Sequence, residues 1–312
     1  MPRPCVVITE PLDPDAIAWL AARCEVVHAP LEDQDRVVGA LARADALVVR
    51  TYTRVDAALL DRAPGLRVVG RAGVGVDNID LEACRARGVE VVHTPDANTD
   101  AVVEFVWSLI LSAVRPVAVV EGAMSAEAWR TLRDASLAPR ELAGLTLGVL
   151  GLGRIGSAVA HVGAALMGRV IYHDLRVIPL SESVGAEAVS RDALLAESDI
   201  LTIHVDGRAE NRGLIGGREC GRIRPDVVFI NTSRGFVVDR PALAVFLRAN
   251  PGALALLDVH DPEPIPADDP LVGLPNARLY PHLAAATVPA KRAMSRVVER
   301  VWEALVRDVS SG

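Results

Sequence analysis

The sequence predicts an α/β protein built from two parallel-sheet units, and three observations carry that prediction. Short runs of aliphatic and β-branched residues alternate with Ala- and Leu-rich stretches of helical spacing. The runs are apolar throughout rather than at every second position, as strands covered on both faces are. The alternation breaks near Asn98 and restarts at Leu145, and 312 residues suit about two domains.

The elements follow in order. Residues 5–9 read as a strand and 15–23 as a helix, then 25–28 as a strand and 33–43 as a helix. Further strands are expected over 46–50, 66–70 and 89–93. Residues 98–111 start a long helix that Asn98 or Thr99 can cap. A polar connection follows Trp129. The second unit then offers strands at 147–150, 170–173, 200–205, 227–230 and 253–257. Helices are expected at 154–166, 192–197, 241–250 and, as one amphipathic element, 289–309.

Composition excludes several classes. Hydrophobic residues make up 51% and charged residues 23%, so the chain is not disordered. A net charge of -7 is wrong for coating nucleic-acid phosphate, and 4% aromatics leave little to stack on bases. Lys291 is the sole lysine, so the positive charge is nearly all arginine, which grips carboxylate and phosphate through a two-pronged fork. Cys5, Cys24, Cys84 and Cys220 form no CxxC pair, which fits reduced thiols in a cytoplasmic protein. No metal site is expected. Residues 102–120 are the most apolar long stretch, but Glu104, Arg115 and Pro116 interrupt it, so a buried helix fits better than a membrane span. No membrane or nucleic-acid partner is expected.

Gly151-Leu152-Gly153-Arg154-Ile155-Gly156 follows a predicted strand and opens a predicted helix. In a dinucleotide site the first glycine allows the turn. The second admits the pyrophosphate, and the third lets helix and strand pack closely. The helix start adds unpaired amides and a partial positive charge. Asp174 ends the next strand, 18 residues after Gly156, where a carboxylate bonds the ribose hydroxyls. That carboxylate repels a 2′-phosphate and favours NAD(H) over NADP(H), with Arg176 as a counter-argument.

Three further segments carry a resemblance. Asn231-Thr232-Ser233-Arg234-Gly235-Phe236-Val237-Val238-Asp239, Leu257-Asp258-Val259-His260-Asp261-Pro262-Glu263-Pro264 and Pro281-His282-Leu283-Ala284-Ala285-Ala286-Thr287 follow the glycine loop. In order and spacing they resemble the D-isomer-specific 2-hydroxyacid dehydrogenase family. Gly70-Arg71-Ala72-Gly73-Val74-Gly75-Val76-Asp77-Asn78-Ile79-Asp80 looks like that family's 3-phosphoglycerate dehydrogenase branch. The resemblance covers nearly the whole chain. The sequence stops shortly after its last predicted helix, which reads as a short form without C-terminal regulatory domains.

The resemblance implies a Rossmann-type dinucleotide-binding domain, residues 98–281, inserted into a flavodoxin-like substrate domain, residues 1–97 plus 282–312. It implies an NAD-dependent enzyme that interconverts a 2-oxo acid and a D-2-hydroxy acid. Arg234 would bind the substrate carboxylate and 2-oxygen, His282 would be the acid and base, and Glu263 would bond the imidazole. Asp261 is a rival partner for that imidazole. The residue types suit the chemistry. An imidazole titrates near neutrality and both gives and takes a proton. A neighbouring carboxylate favours the imidazolium. A guanidinium holds an α-keto acid through two parallel bonds and polarises its carbonyl. Beside the glycine loop and Asp174, the resemblance puts His204, Thr232 and Asp258 near the cofactor.

For the substrate it implies Arg50 and Thr51 in the loop after the third strand, the amides of Val74 and Gly75, and Asn98. Arg71 would add charge. Arg50 with Arg71 favours an acidic tail, with 3-phosphoglycerate and phosphohydroxypyruvate leading and phosphonopyruvate, hydroxypyruvate or glyoxylate as rivals. Several positions depart from the family pattern. Tyr52 is bulkier than usual, His260 stands where Phe or Tyr is usual, and Ala284 and Ala285 replace glycines. Asp206-Gly207-Arg208 replaces a Pro-Leu-Thr stretch. Phosphite oxidation and an NAD(H)-sensing, corepressor-like binding protein are the alternatives on this scaffold. A homodimer is expected from the family and from the apolar helix after Asn98.

Overall fold

A computed structural model describes residues 3–30 and 32–309. The chain divides into two compact units, Met1–Asn98 with Ala285–Gly312, and Thr99–Ala284.

The first unit holds a five-stranded sheet of β1 (Cys5–Ile8), β2 (Glu25–His28), β3 (Ala46–Val49), β4 (Val68–Arg71) and β5 (Glu90–His93). The order is β2-β1-β3-β4-β5, and every pairing is parallel. Every residue of β1 and β3 is buried, while the edge strand β2 is partly exposed. Asp13, Asp56 and Asp80 each cap a helix by accepting a backbone amide, an arrangement that contributes about 1 kcal/mol per cap. At Gly70 a Cβ would lie 2.4 Å from Val301 Cγ2, so its absence lets the helix Val297–Val309 approach β4.

That helix is only part of the single C-terminal helix expected from the sequence. The structure breaks the segment at Arg296 into Val288–Ser295 and Val297–Val309. Ser295 Oγ donates to the Lys291 carbonyl at 2.8 Å and accepts the Asp13 amide at 2.9 Å. A serine bonded back to its own helix bends it, and apolar periodicity does not register this.

The second unit holds β6 (Thr146–Leu150), β7 (Arg169–His173), β8 (Glu187–Ala188), β9 (Ile200–Ile203), β10 (Val228–Asn231), β11 (Leu254–Leu257) and β12 (Ala277–Leu279). The order β12-β11-β10-β9-β6-β7-β8 is parallel throughout and winds both ways from β6. Phe229, Leu201, Ile171 and Leu194 pack its core without exposure. The strand order reverses between β6 and β9, where open α/β sheets bind ligands beyond the strand ends. Gly151 and His204 sit at those two ends.

Two strands and two α-helices of this unit escaped the sequence reading, the four-residue helix Gly217–Cys220 among them. β8 and β12 are too short for a pattern. The helix Ala126–Ala135 overlaps the connection expected after Trp129; its apolar residues, Trp129 and Leu132 among them, stand three apart among charged ones, and none of them is buried. The long helix begins at Thr99 and runs to Val114, past the expected end. Among the described residues no helix is long and apolar enough to cross a membrane.

Candidate active site

The glycine loop begins at the end of β6. Gly151 has φ +92, and a Cβ there would stand 2.9 Å from the His204 carbonyl. At Gly156 a Cβ would stand 2.0 Å from the Gly151 carbonyl oxygen. The helix Arg154–Leu166 packs onto the turn because that atom is missing. Gly153 is the N-cap, with no side-chain cap bond and open space where its Cβ would be. The first-turn amides at Arg154 and Ile155 therefore face no capping side chain, which suits a phosphate-sized anion.

Asp174 ties into the same turn. Its Oδ2 accepts the Leu152 amide at 2.8 Å, and its Oδ1 accepts the Arg176 amide at 2.8 Å. Burial acts to raise its pKa, but the amides and the Arg176 guanidinium outweigh burial and hold it below the usual carboxylate range. Arg176 also bonds the Leu152 carbonyl, so it lies over the carboxylate that would meet a ribose. His204 Nε2 lies 2.9 Å from Thr202 Oγ1, and desolvation pushes its pKa down to about 3, so the ring is neutral. Thr232 Oγ1 is buried without a hydrogen-bond partner. The open glycine turn, the uncapped helix start and this orphaned hydroxyl fit a dinucleotide.

Arg234 follows β10 on a loop fixed by Asn231. The Asn231 amide donates to the Arg234 carbonyl at 2.9 Å, and its Oδ1 accepts the Ser233 amide at 3.0 Å. Arg234 Nη1 donates to the Ser233 carbonyl at 2.7 Å. A Cβ on the next residue, Gly235, would lie 2.0 Å from the His260 carbonyl carbon. The Arg234 loop therefore rests directly on the backbone of the segment that carries Glu263.

His282 Nδ1 lies 2.9 Å from Glu263 Oε2, and Glu263 Oε1 accepts the His260 amide at 2.9 Å. A carboxylate facing Nδ1 makes Nδ1 the proton-bearing nitrogen and leaves Nε2 to act outward. Burial acts to raise the Glu263 pKa, but the bonds from His282 and the His260 amide outweigh it and hold the carboxyl below its ordinary value. Asp261 pairs instead with Arg212 at 2.9 Å. His282 has φ +56, a left-handed backbone that costs about 1–3 kcal/mol and persists only where its surroundings enforce it. Asp258 supplies that enforcement. Its carboxylate accepts the Leu283 amide at 2.7 Å and the Ala284 amide at 2.8 Å, and its carbonyl accepts the His282 amide at 3.0 Å. Asp258 is fully buried, and desolvation raises its pKa against the pull of those amides.

In the first unit, Glu10 organises the loop after β3. Its carboxylate accepts amides from Arg50, Thr51, Tyr52 and Thr53 at 2.8–3.1 Å. Burial acts to raise its pKa, yet those four bonds hold it below the usual range. Arg50 Nη1 donates to the Pro11 carbonyl at 3.1 Å, and Tyr52 is exposed. The Arg71 guanidinium covers Gly73, where a Cβ would lie 1.4 Å from Nη1. Val74 and Gly75 are half-buried, and His93 Nδ1 lies 2.9 Å from the Val74 carbonyl. Asn98 Oδ1 is buried without a partner. Sequence reasoning missed Glu10, the turn-holding bonds of Asp258, and the Arg240–Asp269 ion pair, which is almost fully buried.

Residues 107–284 match the profile described as D-isomer specific 2-hydroxyacid dehydrogenase, NAD binding domain. The chain is 38% identical over 307 residues to the D-3-phosphoglycerate dehydrogenase of Mycobacterium bovis, covering 98% of this chain and 57% of that protein. It therefore spans little more than half the length of that relative. It is 39% identical over 296 residues to the glyoxylate reductase of Aeropyrum pernix, covering 92% and 88% of the two chains. The crystal structure of D-lactate dehydrogenase from Aquifex aeolicus, complexed with NAD and lactic acid, superposes with a TM-score of 0.81 at 26% identity, covering 97% of this chain and 96% of that one. Together with the doubly wound sheet, the glycine turn and the paired His282 and Glu263, these matches show that the chain belongs to the D-isomer-specific 2-hydroxyacid dehydrogenase family.

Proposed function

We propose that this protein is an NAD(H)-dependent oxidoreductase that interconverts a 2-oxo acid and a D-2-hydroxy acid. One observation carries the reading. An imidazole with one nitrogen held by a half-buried carboxylate stands beside a segment on which the Arg234 loop is packed. When bound, the nicotinamide supplies or takes the hydride at substrate C2. His282 Nε2 gives the 2-oxygen its proton in reduction and takes it back in oxidation, while Glu263 holds Nδ1–H and stabilises the imidazolium. Arg234 orients the substrate carboxylate and polarises the 2-oxygen. Gly151, Gly153, Arg154, Ile155, Gly156, Asp174, His204 and Thr232 hold the dinucleotide. Asp258 keeps the His282 turn in place.

Arg50, Thr51, Arg71, Val74, Gly75 and Asn98 would contact the substrate, and the two arginines favour a dianionic tail. We place 3-phosphoglycerate and its 2-oxo form first, on the names of the mycobacterial relatives and that charge. Glyoxylate is the rival, on the name of the Aeropyrum relative. The setting is taken as cytoplasmic, with all four cysteines buried and unpaired. We also propose a homodimer. Residues 115–125 and the helix Ala126–Ala135 leave Val117, Val119 and Trp129 exposed, apolar surface that a second copy of this chain would cover.

The test is NADH oxidation against phosphohydroxypyruvate, phosphonopyruvate, hydroxypyruvate, glyoxylate and pyruvate, with Arg50→Ala alongside. Turnover confined to dianionic acids and lost in Arg50→Ala supports the phosphorylated substrate. Equal turnover of glyoxylate in both proteins removes it.

A further inference from the structure

We propose that His260, backed by Arg240 and Asp269, is a positioning residue that holds Glu263 and His282 in register with each other. The inference rests on the reading of His282 as acid and base.

Arginine only donates hydrogen bonds. Arg240 Nη1 lies 3.0 Å from His260 Nδ1, so Nδ1 is the acceptor. The ring proton is then on Nε2, which donates to the Tyr280 carbonyl at 2.8 Å. His260 is thus a neutral imidazole with its tautomer set from outside. Arg240 is itself fixed by its ion pair with Asp269, and both side chains are almost fully buried. A low-dielectric surrounding strengthens such a chain and penalises breaking it.

Both arms of His260 end on the proton-transfer pair. Its amide donates to Glu263 Oε1, which leaves Oε2 for His282. Its ring holds the Tyr280 carbonyl, which also accepts the His282 amide at 3.0 Å. That carbonyl lies two residues before His282, whose left-handed backbone depends on outside support. The charged groups facing His260 are Arg240 on the helix Arg240–Ala249, Asp269 and Glu263 on the following loops, and Asp258. An aromatic hydrocarbon ring at position 260 keeps the amide bond to Glu263 and loses both ring bonds. It also leaves Arg240 Nη1 without its acceptor.

The test compares wild type, His260→Phe and His260→Gln, each checked for folding by thermal melting. A glutamine amide can accept from Arg240 and donate to Tyr280. For His260→Phe the expected result is a fall in kcat of about tenfold to a hundredfold, an altered pH profile of kcat, and unchanged NADH affinity. His260→Gln should recover most of the lost rate. A Phe variant with wild-type kcat and pH profile, or a Gln variant no better than Phe, overturns the proposal. If His260→Phe does not fold, Arg240→Lys carries the test. It keeps a charge beside Asp269 but cannot span Asp269 and His260 together, and a wild-type kcat there overturns the proposal. Nitrogen NMR of the imidazoles separates this from the activity reading. A wild type that turns over no 2-oxo acid sinks the dehydrogenase reading, while a proton found on His260 Nδ1 sinks the clamp whatever the turnover.

Discussion

Glu263 Oε2 and His282 Nδ1 lie 2.9 Å apart, and the second oxygen of Glu263 is taken by a backbone amide. Neither oxygen is left to swing. The geometry fixes the imidazole tautomer and turns Nε2 outward, which is what proton exchange with a substrate oxygen requires.

Replacing Glu263 with Gln should therefore hurt rate more than binding. The carboxyl is held below its ordinary pKa, so it is charged across the neutral range. The carboxylate's contribution to stability is present above the ordinary carboxylate pKa and is lost as pH falls through the lowered one. We expect kcat for reduction to fall about 100-fold in Glu263→Gln, with NADH affinity retained. Steady-state kinetics alongside a fluorescence titration of NADH check this. An unchanged kcat would remove Glu263 from the site.

The glycine turn makes a steric prediction. Gly156→Ala puts a Cβ 2.0 Å from a backbone oxygen that has no flexible end to move. We expect about 1–3 kcal/mol of lost stability together with at least tenfold weaker NADH binding, read by calorimetry. Gly153→Ala meets no atom within 4 Å and should cost little stability. Equal melting temperatures for Gly156→Ala and wild type would contradict the packing described.

Glu10 gives a pH-dependent one. Its folded pKa is depressed by four backbone amides, so its contribution is full above the unfolded value of about 4.3 and disappears as pH falls through the folded value. Glu10→Gln should lose about 1.5–3 kcal/mol at neutral pH, and the gap to wild type should close in acid. Thermal melts over a pH series read this directly. A gap of constant size would mean that the loop does not depend on the charge.

Asp174 bears on the choice of dinucleotide. Its carboxylate would repel a 2′-phosphate, while Arg176 already lies against it. Asp174→Ser should raise the ratio of NADPH to NADH efficiency, because it removes the negative charge and frees Arg176. It should also weaken NADH binding, because the Leu152 amide loses its acceptor. Initial rates with both cofactors decide it, and an unchanged ratio would contradict the assignment.

The parts of the site legible in sequence were those built within one loop. The glycine turn is a local steric pattern, and Arg234, Glu263 and His282 each sit in a short recognisable segment. Long-range partners were not legible. Glu10 meets residues about 40 positions away, and Asp258 holds a turn 25 residues on. Nothing in either neighbourhood signals the contact. The central parallel strands of both sheets could be read because buried strands are continuously apolar, whereas β8 and β12 are too short to show a pattern. The helix Ala126–Ala135 was hidden because its few apolar residues, Trp129 and Leu132 among them, stand among charged ones and none is buried. His260 was legible only as a departure from the expected aromatic. Its meaning needed Arg240 and Tyr280, each 20 residues away in sequence, brought to its two ring nitrogens.

The most direct test of His282 as acid and base is the rate of NADH oxidation with the best-accepted 2-oxo acid in wild type and His282→Asn, with NADH affinity measured in both. The expected result is measurable wild-type turnover, a fall of at least about 100-fold in the variant, and matched NADH affinity. A variant as fast as wild type, or a wild type that binds NADH and reduces no 2-oxo acid, would contradict it.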